Sequence, residues 1–320
     1  MTEILHLCFD PTMQDVADGQ EPSQIPVLPE VPEQALANLK QSFEYITDWI
    51  LPSGVRNSLS DASEDDALDY TCSCEDMPCN DKNIECTCVI DYGHYYNSEG
   101  QLMLDELPEH HTLYECSPEC ACHHTSRKVA CPNAVTQGGV GTRISVRWTE
   151  DRGFGLFAEE DIAKGSFLCC YVGEVISTTE AKRRWRAQVD NGYSNYILVL
   201  KEETNIKGQK QILKTTIDAR TRGNLGHFLN HACPPLTTHV VIPVRTVGTL
   251  IPRPAFFAAR DIKAGEELTW DYEDAGGETW LFHENAYQSP AFPDHAEMVR
   301  TPCHCGSPKC RKWLAYDPSL

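Results

Sequence analysis

Nine cysteines lie within 60 residues of this 320-residue chain, and they constrain its fold more than any other feature does. They follow the spacing CxCx4Cx6CxC and then Cx3CxCx8C, at positions Cys72, Cys74, Cys79, Cys86, Cys88, Cys116, Cys120, Cys122 and Cys131. A structural zinc ion takes four thiolates, so three ions require twelve ligand positions. Nine sulfurs fill twelve positions if three of them each bridge two ions, whereas two separate sites would leave one cysteine over. The spacing therefore predicts a cluster of three zinc ions, in a module that depends on metal for its folding.

A second group of cysteines is split between the middle of the chain and its C-terminal region. Its members are Cys233, Cys303, Cys305 and Cys310. Because Cys233 precedes Cys303 by 70 residues, one zinc ion on these four thiolates would hold the C-terminal segment against the neighbourhood of Asn230 and His231. We therefore predict a fourth zinc ion at this junction, with the segment that it fixes forming one wall of a pocket.

All these cysteines are expected to be reduced. The first residues, MTEILHLCFDP, lack the basic region and long apolar stretch of a secretory signal. Disulfides are rare in proteins of reducing compartments, so metal binding is favoured over a disulfide scaffold. No run of about 18 apolar residues is present, and a membrane-spanning helix is therefore not expected.

The overall charge narrows the choice of partners. With 27 basic and 47 acidic residues the chain carries a formal charge of −20. The phosphate backbone of DNA favours proteins of the opposite sign, so we expect no direct sequence-specific DNA binding. A peptide rich in lysine and arginine fits this charge better.

The N-terminal region differs in composition from the rest. Residues 1–70 carry 14 acidic and 2 basic residues. Residues 1–32 contain five prolines, which interrupt helices, and we predict an acidic, proline-rich disordered extension there. Within residues 33–69, apolar positions from Leu36 to Ile50 recur at spacings of three and four. This pattern predicts an amphipathic helix that ends near Pro52, followed by an acidic connector. Packing of the helix on the body of the protein is favoured over partner binding.

Short apolar runs alternate with turns between residues 140 and 274, which predicts a domain of mostly β-strands with few helices. One helix is expected after a capping box formed by Ser177 and Glu180, with Gly192 at its end. Its basic run KRRWR is interpreted as a solvated face. Residues 275–299 are rich in glycine, proline and acidic residues, and they are predicted to form an insert or linker loop.

Six motifs occur in a fixed order: the nine cysteines, DRGFG, YVGE, GNLGHFLNHAC, EELTWDY and CxCx4C. Together they resemble those of the SET-domain protein lysine methyltransferases, in the subgroup with cysteine-rich pre-SET and post-SET modules that includes the heterochromatin enzymes for lysine 9 of histone H3. The resemblance covers residues 70–320, with a pre-SET zinc cluster at 70–136, a SET catalytic domain at 140–274 and a post-SET zinc module at 300–320. It implies a β-clip-like SET fold with a pseudoknot, flanked by the two zinc modules.

The resemblance also implies a cofactor, S-adenosylmethionine, and roles for individual residues. Those expected to bind the cofactor are Arg152, Gly153, Phe154, Tyr196, Asn230, His231 and Trp313. Tyr272 is expected to be the catalytic tyrosine, with Tyr196 assisting it. Tyr171 and Trp270 would line the channel for the substrate lysine.

The function implied by the resemblance is methylation of a lysine in the histone H3 tail, with lysine 9 favoured, in chromatin silencing. The partner would be the histone H3 tail or the nucleosome, and the location the nucleus and the chromosome. Three alternatives stay open: lysine 36 of histone H3, a non-histone protein, or a catalytically silent chromatin-binding scaffold.

Several positions depart from the family pattern. The usual NHSCDPN reads NHACPPL, so Ala232, Pro234 and Leu236 replace a serine, an acid and an amide. Eight residues, HHTSRKVA, separate two of the pre-SET cysteines where about three are usual, which implies a looped insert. His123 or His124 in it is a weaker ligand candidate than the complete set of cysteines. A basic residue is usual at the position of His227, so a cofactor role there is weakly supported.

Trp270 is the departure with the clearest chemical consequence. The family has Phe or Tyr at this position, where the residue acts as a gate on the number of methyl groups added. An indole adds volume to a close-packed channel, which hinders rotation of a methylated ammonium. We therefore predict mono- and dimethyllysine as products, the alternative being that Trp270 only fills core space.

Overall fold

Strands dominate the computed structural model, which describes residues 14–52, 71–75, 77–108, 112–124, 130–190, 196–206, 209–249, 251–274 and 301–314. Its three α-helices are α1 (Glu33–Ser42), α2 (Thr87–Tyr92) and α3 (Thr178–Asp190). The strands are β1 (Glu44–Tyr45), β2 (Leu113–Glu115), β3 (Ile144–Thr149), β4 (Gly153–Ala158), β5 (Phe167–Cys170), β6 (Glu174–Ile176), β7 (Ile197–Ile206), β8 (Gln209–Asp218), β9 (Arg222–Gly223), β10 (Asn230–His231), β11 (His239–Thr246), β12 (Arg253–Ala258) and β13 (Glu267–Trp270). Short 3-10 helices span Leu104–Glu106, Ala121–His123, Val135–Gly138, Leu225–Phe228 and Tyr272–Asp274. The prediction of a mostly β protein with few helices is confirmed.

The largest sheet has the order β3-β4-β13-β11-β12-β5, with β10 beside β13 and β2 beside β11. A second sheet has the order β6-β8-β7, and β1 pairs with β9. Strands β10 and β13 run parallel although about forty residues separate them, so two distant segments lie side by side as the predicted pseudoknot requires. This pairing places NHAC next to the end of EELTWDY.

Apolar runs explain the core of the large sheet. Strand β11 is buried along most of its length, because both of its faces are covered. Phe228, Phe256 and Leu156 are almost fully buried in the main cluster of apolar side chains. Burying a side chain of this kind contributes about 1.5–3 kcal/mol, so these positions stabilise the sheet that holds the site.

The N-terminal extension is not disordered over the part that the structure describes, and the prediction was wrong there. Ile25, Val27 and Val31 are buried in the main core. The N–H of Val146 donates to the Pro26 carbonyl at 2.9 Å, so the segment adds to the edge of β3. Proline forbids helix but is tolerated in an edge strand, and the apolar residues between the prolines supply the buried surface. Residues 1–13 lie outside the described part of the chain.

The predicted N-terminal helix is shorter than the apolar pattern suggested. It ends at Ser42, because Phe43 is extended (φ −132°, ψ 132°) and strand β1 then pairs in parallel with β9. Leu36, Leu39 and Phe43 pack against the main core, which confirms core packing for this face. The aromatic and β-branched residues after Ser42 favour strand over helix. The acidic connector lies outside the described residues.

Helix α3 is confirmed, with its predicted cap. The N–H of Glu180 donates to the Ser177 hydroxyl at 3.2 Å. Gly192 and the insert at 275–299 lie outside the described residues. No helix in the described part of the chain is long and apolar enough to cross a membrane.

His239 in β11 gives the fold a defined pH dependence. Its Nδ1 lies 3.1 Å from the Thr269 carbonyl oxygen, and burial lowers the pKa of this histidine to about 3. The side chain is neutral in the fold, whereas in the unfolded chain it has the ordinary pKa of about 6.5. Between these values the unfolded state binds the additional proton, so stability falls as the pH is lowered below about 6.5.

Replacing His239→Gln keeps an N–H donor but removes this titration. The stability difference between natural protein and variant should therefore shrink by about 1 kcal/mol for each pH unit below about 6.5. Urea unfolding at several pH values measures the difference, and contributions from the zinc ligands cancel because both proteins share them. Parallel stability curves for the two proteins would contradict the prediction.

Candidate active site and metal centres

The nine pre-SET cysteines come together in one cluster. All are 8% exposed or less, and none lies in a disulfide. Two thiolates on one tetrahedral zinc ion stand about 3.8 Å apart, because each Zn–S bond is about 2.3 Å long. The sulfur atoms of Cys72 and Cys79 are 3.8 Å apart, and those of Cys88 and Cys120 are 3.7 Å apart. The sulfurs therefore fit a zinc cluster without rearrangement.

The sulfur geometry also indicates which cysteines would be shared between ions. One set of four with all sulfurs within 4.8 Å of one another is Cys72, Cys74, Cys79 and Cys86, and a second is Cys72, Cys88, Cys116 and Cys120. A third set joins Cys72, Cys79 and Cys116 to Cys122, and Cys131 interacts with Cys79, Cys116 and Cys122. Three cysteines thus recur between the sets, and six do not, which is the ratio that a cluster of three ions needs. His123 lies within 4.8 Å of two of the cysteines but is not required by this count.

The second predicted group is also assembled. The sulfurs of Cys233, Cys303, Cys305 and Cys310 lie within 4.8 Å of one another, and the last three residues are only partly buried. The Ser307 hydroxyl donates to the Pro234 carbonyl at 2.8 Å, which ties the C-terminal segment to the NHACPPL motif. These residues fit one zinc ion at the predicted junction.

Arg311 joins the C-terminal segment to the residues on either side of Tyr272. Its guanidinium forms ion pairs with Asp271 and, at 2.8 Å, with Glu273. Arg311 directly follows the cysteine Cys310, so the metal site and the catalytic tyrosine are linked through one side chain. Sequence analysis missed this role, although an arginine next to a ligand cysteine was a usable signal.

The residues predicted to hold the cofactor meet where β4, β10 and β13 adjoin. The Asn230 side-chain amide donates to the Phe154 carbonyl and to Glu267 Oε1, both at 2.9 Å. Arg152 pairs with the same carboxylate at 2.5 Å. A Cβ on Gly155 would lie 2.9 Å from Glu267 Oε1, so only glycine allows this close approach. Glu267, which organises the group, was missed by sequence analysis although it lies in EELTWDY.

Three tyrosines come together beside this group. The Tyr272 hydroxyl donates to the Leu229 carbonyl at 2.9 Å, and the Tyr171 hydroxyl donates to the Tyr196 carbonyl at 2.8 Å. The ring of Tyr196 stacks on His227, with centroids 4.2 Å apart. Burial raises the pKa of Tyr272 and of Tyr171 well above the ordinary value for tyrosine. Both hydroxyls therefore keep their protons at neutral pH and act as hydrogen-bonding groups rather than as bases.

His231 lies between the catalytic tyrosine and the second metal site. The backbone N–H of Tyr272 donates to His231 Nδ1 at 3.2 Å, so the imidazole proton is on Nε2, which lies 3.3 Å from the Cys233 sulfur. Burial lowers the pKa of His231 to about 4, which keeps the ring neutral. The histidine therefore bonds a residue of each site at the same time.

The two tryptophans differ in their surroundings. Trp270 is 5% exposed, with its ring centroid 4.8 Å from Tyr272 and 5.3 Å from Phe256. Its indole N–H has no hydrogen-bond partner among the residues that the structure describes. Trp313 is 43% exposed and pairs through its backbone with Pro302. Its ring makes no contact with the tyrosines in the described residues, so its predicted cofactor role stays a prediction.

Comparisons with known proteins agree with this arrangement. A sequence profile of the SET domain matches residues 153–273, and one of the Pre-SET motif matches residues 17–133. The chain is 36% identical to the probable histone-lysine N-methyltransferase set-23 of Caenorhabditis briggsae over 280 residues, which are 87% of this chain and 98% of that protein.

Two solved structures extend the comparison to the fold. The methyltransferase domain of human histone-lysine N-methyltransferase SETMAR is similar with a TM-score of 0.66 at 27% identity, over 95% of this chain and 98% of that one. Arabidopsis thaliana SUVH6 in complex with SAM also has a TM-score of 0.66, at 26% identity, over 95% of this chain and 56% of that one.

Proposed function

Because this chain belongs to the SET-domain histone-lysine N-methyltransferases, we propose that it methylates a lysine of the histone H3 tail, with lysine 9 as the expected target. The observation that carries the proposal is the meeting of Tyr171, Tyr196 and Tyr272 beside the Asn230–His231 strand. A protein that only binds chromatin does not need this group. Its retention therefore supports catalysis over the silent scaffold.

The first task of the site is to supply a neutral lysine. With an ordinary pKa of about 10.4, only about one lysine side chain in a thousand is deprotonated near pH 7.4. A narrow channel lined by Tyr171 and Trp270 excludes water, and removal of water lowers the pKa of an ammonium group. Deprotonation is thus favoured by the walls of the channel rather than by a basic side chain.

The second task is to orient the lysine nitrogen. The Tyr272 hydroxyl donates its proton to the Leu229 carbonyl, which leaves its oxygen lone pairs for the amine. When bound, S-adenosylmethionine supplies the methyl group as an electrophile. Arg152, Phe154 and Asn230 would hold that cofactor, with the backbone next to Gly153 and Gly155 close enough to approach it. Tyr196, His231 and Trp313 complete the proposed binding set. Alignment of the reacting atoms is then the main contribution of the protein.

We assign three zinc ions to the pre-SET cluster and one to the post-SET site. The shared sulfurs would be Cys72, Cys79 and Cys116, while each ion is completed by one of three pairs: Cys74 with Cys86, Cys88 with Cys120, and Cys122 with Cys131. The proposed modules are a pre-SET region over 70–136, a SET domain over 140–274 and a post-SET region over 300–320. With this chemistry the chain would act in the nucleus, on the H3 tail of chromatin.

One assay separates the open alternatives. The full chain is incubated with S-adenosylmethionine carrying a labelled methyl group and with recombinant histone H3, either intact or with lysine 9 or lysine 36 replaced by alanine. We expect transfer to intact H3 and a loss of most of the signal when lysine 9 is absent. Loss at lysine 36 instead would change the target, and binding of H3 without transfer would favour the scaffold.

The number of methyl groups is predicted from Trp270. The indole is held between Phe256 and Tyr272, so it has little room to move out of the channel. The natural enzyme should stop at mono- and dimethyllysine, and Trp270→Phe should shift the products upward, with trimethyllysine appearing. Mass spectrometry after a long reaction measures both, and Trp49→Phe serves as a control far along the chain. Dominant trimethyllysine from the natural enzyme would be inconsistent with a gate at this position.

A further inference from the structure

A basic surface lies on the side of the SET domain that carries helix α3, although the chain as a whole is acidic. Residues 174–222 contain 10 basic and 6 acidic residues, a net charge of +4, which leaves −24 for the rest of the −20 chain. The basic run KRRWR lies in this stretch, and the methyl-transfer site makes no use of it. The charge of the whole molecule therefore does not describe this side of it.

The strand register shows which basic residues share one face. Ile197 and Val199 of β7 pack with Ala181 of α3, so this face of the β7–β8 hairpin lies beneath the helix. Lys201 follows Val199 by two residues and is directly opposite Lys214 on β8. Because side chains alternate along a strand, both lysines lie on the α3 side of the sheet. Like charges directly opposite each other destabilise a strand pair, so this arrangement carries a cost.

The outer side of helix α3 continues the surface. Ala181 and Trp185 face the sheet, whereas Lys182 and Arg186 are exposed and lie one turn apart on the opposite side. Lys214 is exposed as well. Within the described residues, no acidic side chain forms an ion pair with Lys182, Arg186 or Lys214.

The acidic residues of this unit are instead neutralised from within. Arg184 lies 2.6 Å from Glu174 and 2.9 Å from Asp218. Glu202, which is 6% exposed, pairs with Arg245 at 2.8 Å. The negative charges of the described residues thus face the interior, while the positive charges face solvent.

We infer that this surface, formed by Lys182, Arg186, Lys201 and Lys214, binds the phosphate backbone of DNA without reading its sequence. The inference rests on the proposed function, since a histone tail leaves a particle wrapped in DNA. DNA carries one negative charge per roughly 1.7 Å of its axis, so a chain of −20 is repelled unless it approaches by a positive face. Lysine and arginine contacts to phosphates set orientation rather than sequence choice, which suits an enzyme that must reach many nucleosomes.

Two triple variants of the full chain test the surface. The first is Lys182→Glu with Arg186→Glu and Lys214→Glu. The control, with exposed lysines elsewhere, is Lys40→Glu with Lys82→Glu and Lys263→Glu. Each substitution changes the charge by −2, so both variants go from −20 to −26 and differ only in position. Fluorescence anisotropy measures binding to a DNA duplex between about 50 and 200 mM salt, and methylation is measured on an H3 peptide and on nucleosomes.

We expect the first variant to bind duplex at least about tenfold more weakly than the control, with a salt dependence smaller by two to three contacts. It should methylate the peptide at the control rate and nucleosomes about tenfold more slowly. Equal duplex affinity in the two variants would overturn the inference. Slower nucleosome methylation with unchanged duplex affinity would also overturn it, and would assign the surface to an acidic protein. Failure of the natural chain to methylate any H3 substrate would count against the proposed function, while the duplex measurement would still decide on the surface.

Discussion

Replacing Tyr272→Phe is expected to reduce the rate of methyl transfer by about a hundred- to a thousandfold, with little change in stability. Removal of one well-placed polar group from an active site typically costs this much. The hydroxyl donates to the Leu229 carbonyl, and its oxygen is the group proposed to receive the lysine amine. Phenylalanine keeps the ring contact with Trp270 and His231, so the fold around the site should persist.

Rates on an H3 peptide, together with the thermal unfolding midpoint, check this expectation. Tyr45→Phe is a matched control, because Tyr45 is also buried and its hydroxyl donates to Glu21 at 2.8 Å, away from the site. The control should retain most of the activity. If Tyr272→Phe retained activity within about tenfold, the hydroxyl would not be the orienting group.

The second large effect concerns metal, and it should separate the two zinc sites. Cys79→Ser removes a sulfur proposed to be shared by two ions, whereas Cys74→Ser removes a sulfur that belongs to one. Per folded chain we expect four zinc ions in the natural protein, about three in Cys74→Ser and two or fewer in Cys79→Ser. The Cys79→Ser chain should be poorly soluble, because the pre-SET module has few apolar side chains to replace the metal.

Cys310→Ser should behave differently, since its sulfur belongs to the partly buried post-SET site. The protein should fold, keep three zinc ions and lose activity, because Arg311 no longer fixes the acids beside Tyr272. A chelator should accordingly remove activity before it unfolds the chain. Metal analysis by mass spectrometry, with circular dichroism and activity on the same samples, tests the order. Fewer than three zinc ions in well-folded, active protein would refute the ligand assignment.

The metal sites were the most predictable part of the structure. Cysteine spacing alone grouped the ligands, because CxC pairs place two sulfurs on one local turn and few other side chains bind zinc in this way. The helix at residues 178–190 was predictable for a similar reason, since its capping box is a local signal. Local chemistry carried these predictions.

The misses came from contacts between distant parts of the chain. The proline-rich segment was expected to be disordered because its own sequence cannot bury much surface, yet it is ordered by strand β3, more than 100 residues away. Helix α1 ends where β1 finds a partner in β9. Glu267 and Arg311 acquire their roles only through the register of β13 and the fold of the C-terminal segment, neither of which a local pattern specifies.

The pairing of β2 with β11 determines the order in which the molecule can be assembled. The cysteines gather within 60 residues, but Leu113 must wait for Val244, and Glu115 for Thr246, before strand β2 has a partner. Closing so long a loop is slow compared with local folding. During synthesis the metal-filled module would therefore emerge first with an unpaired strand edge, the kind of surface that promotes association between chains. A fragment that stops after the cysteines would keep that edge exposed permanently, so the pre-SET module is better studied together with the strand that covers it.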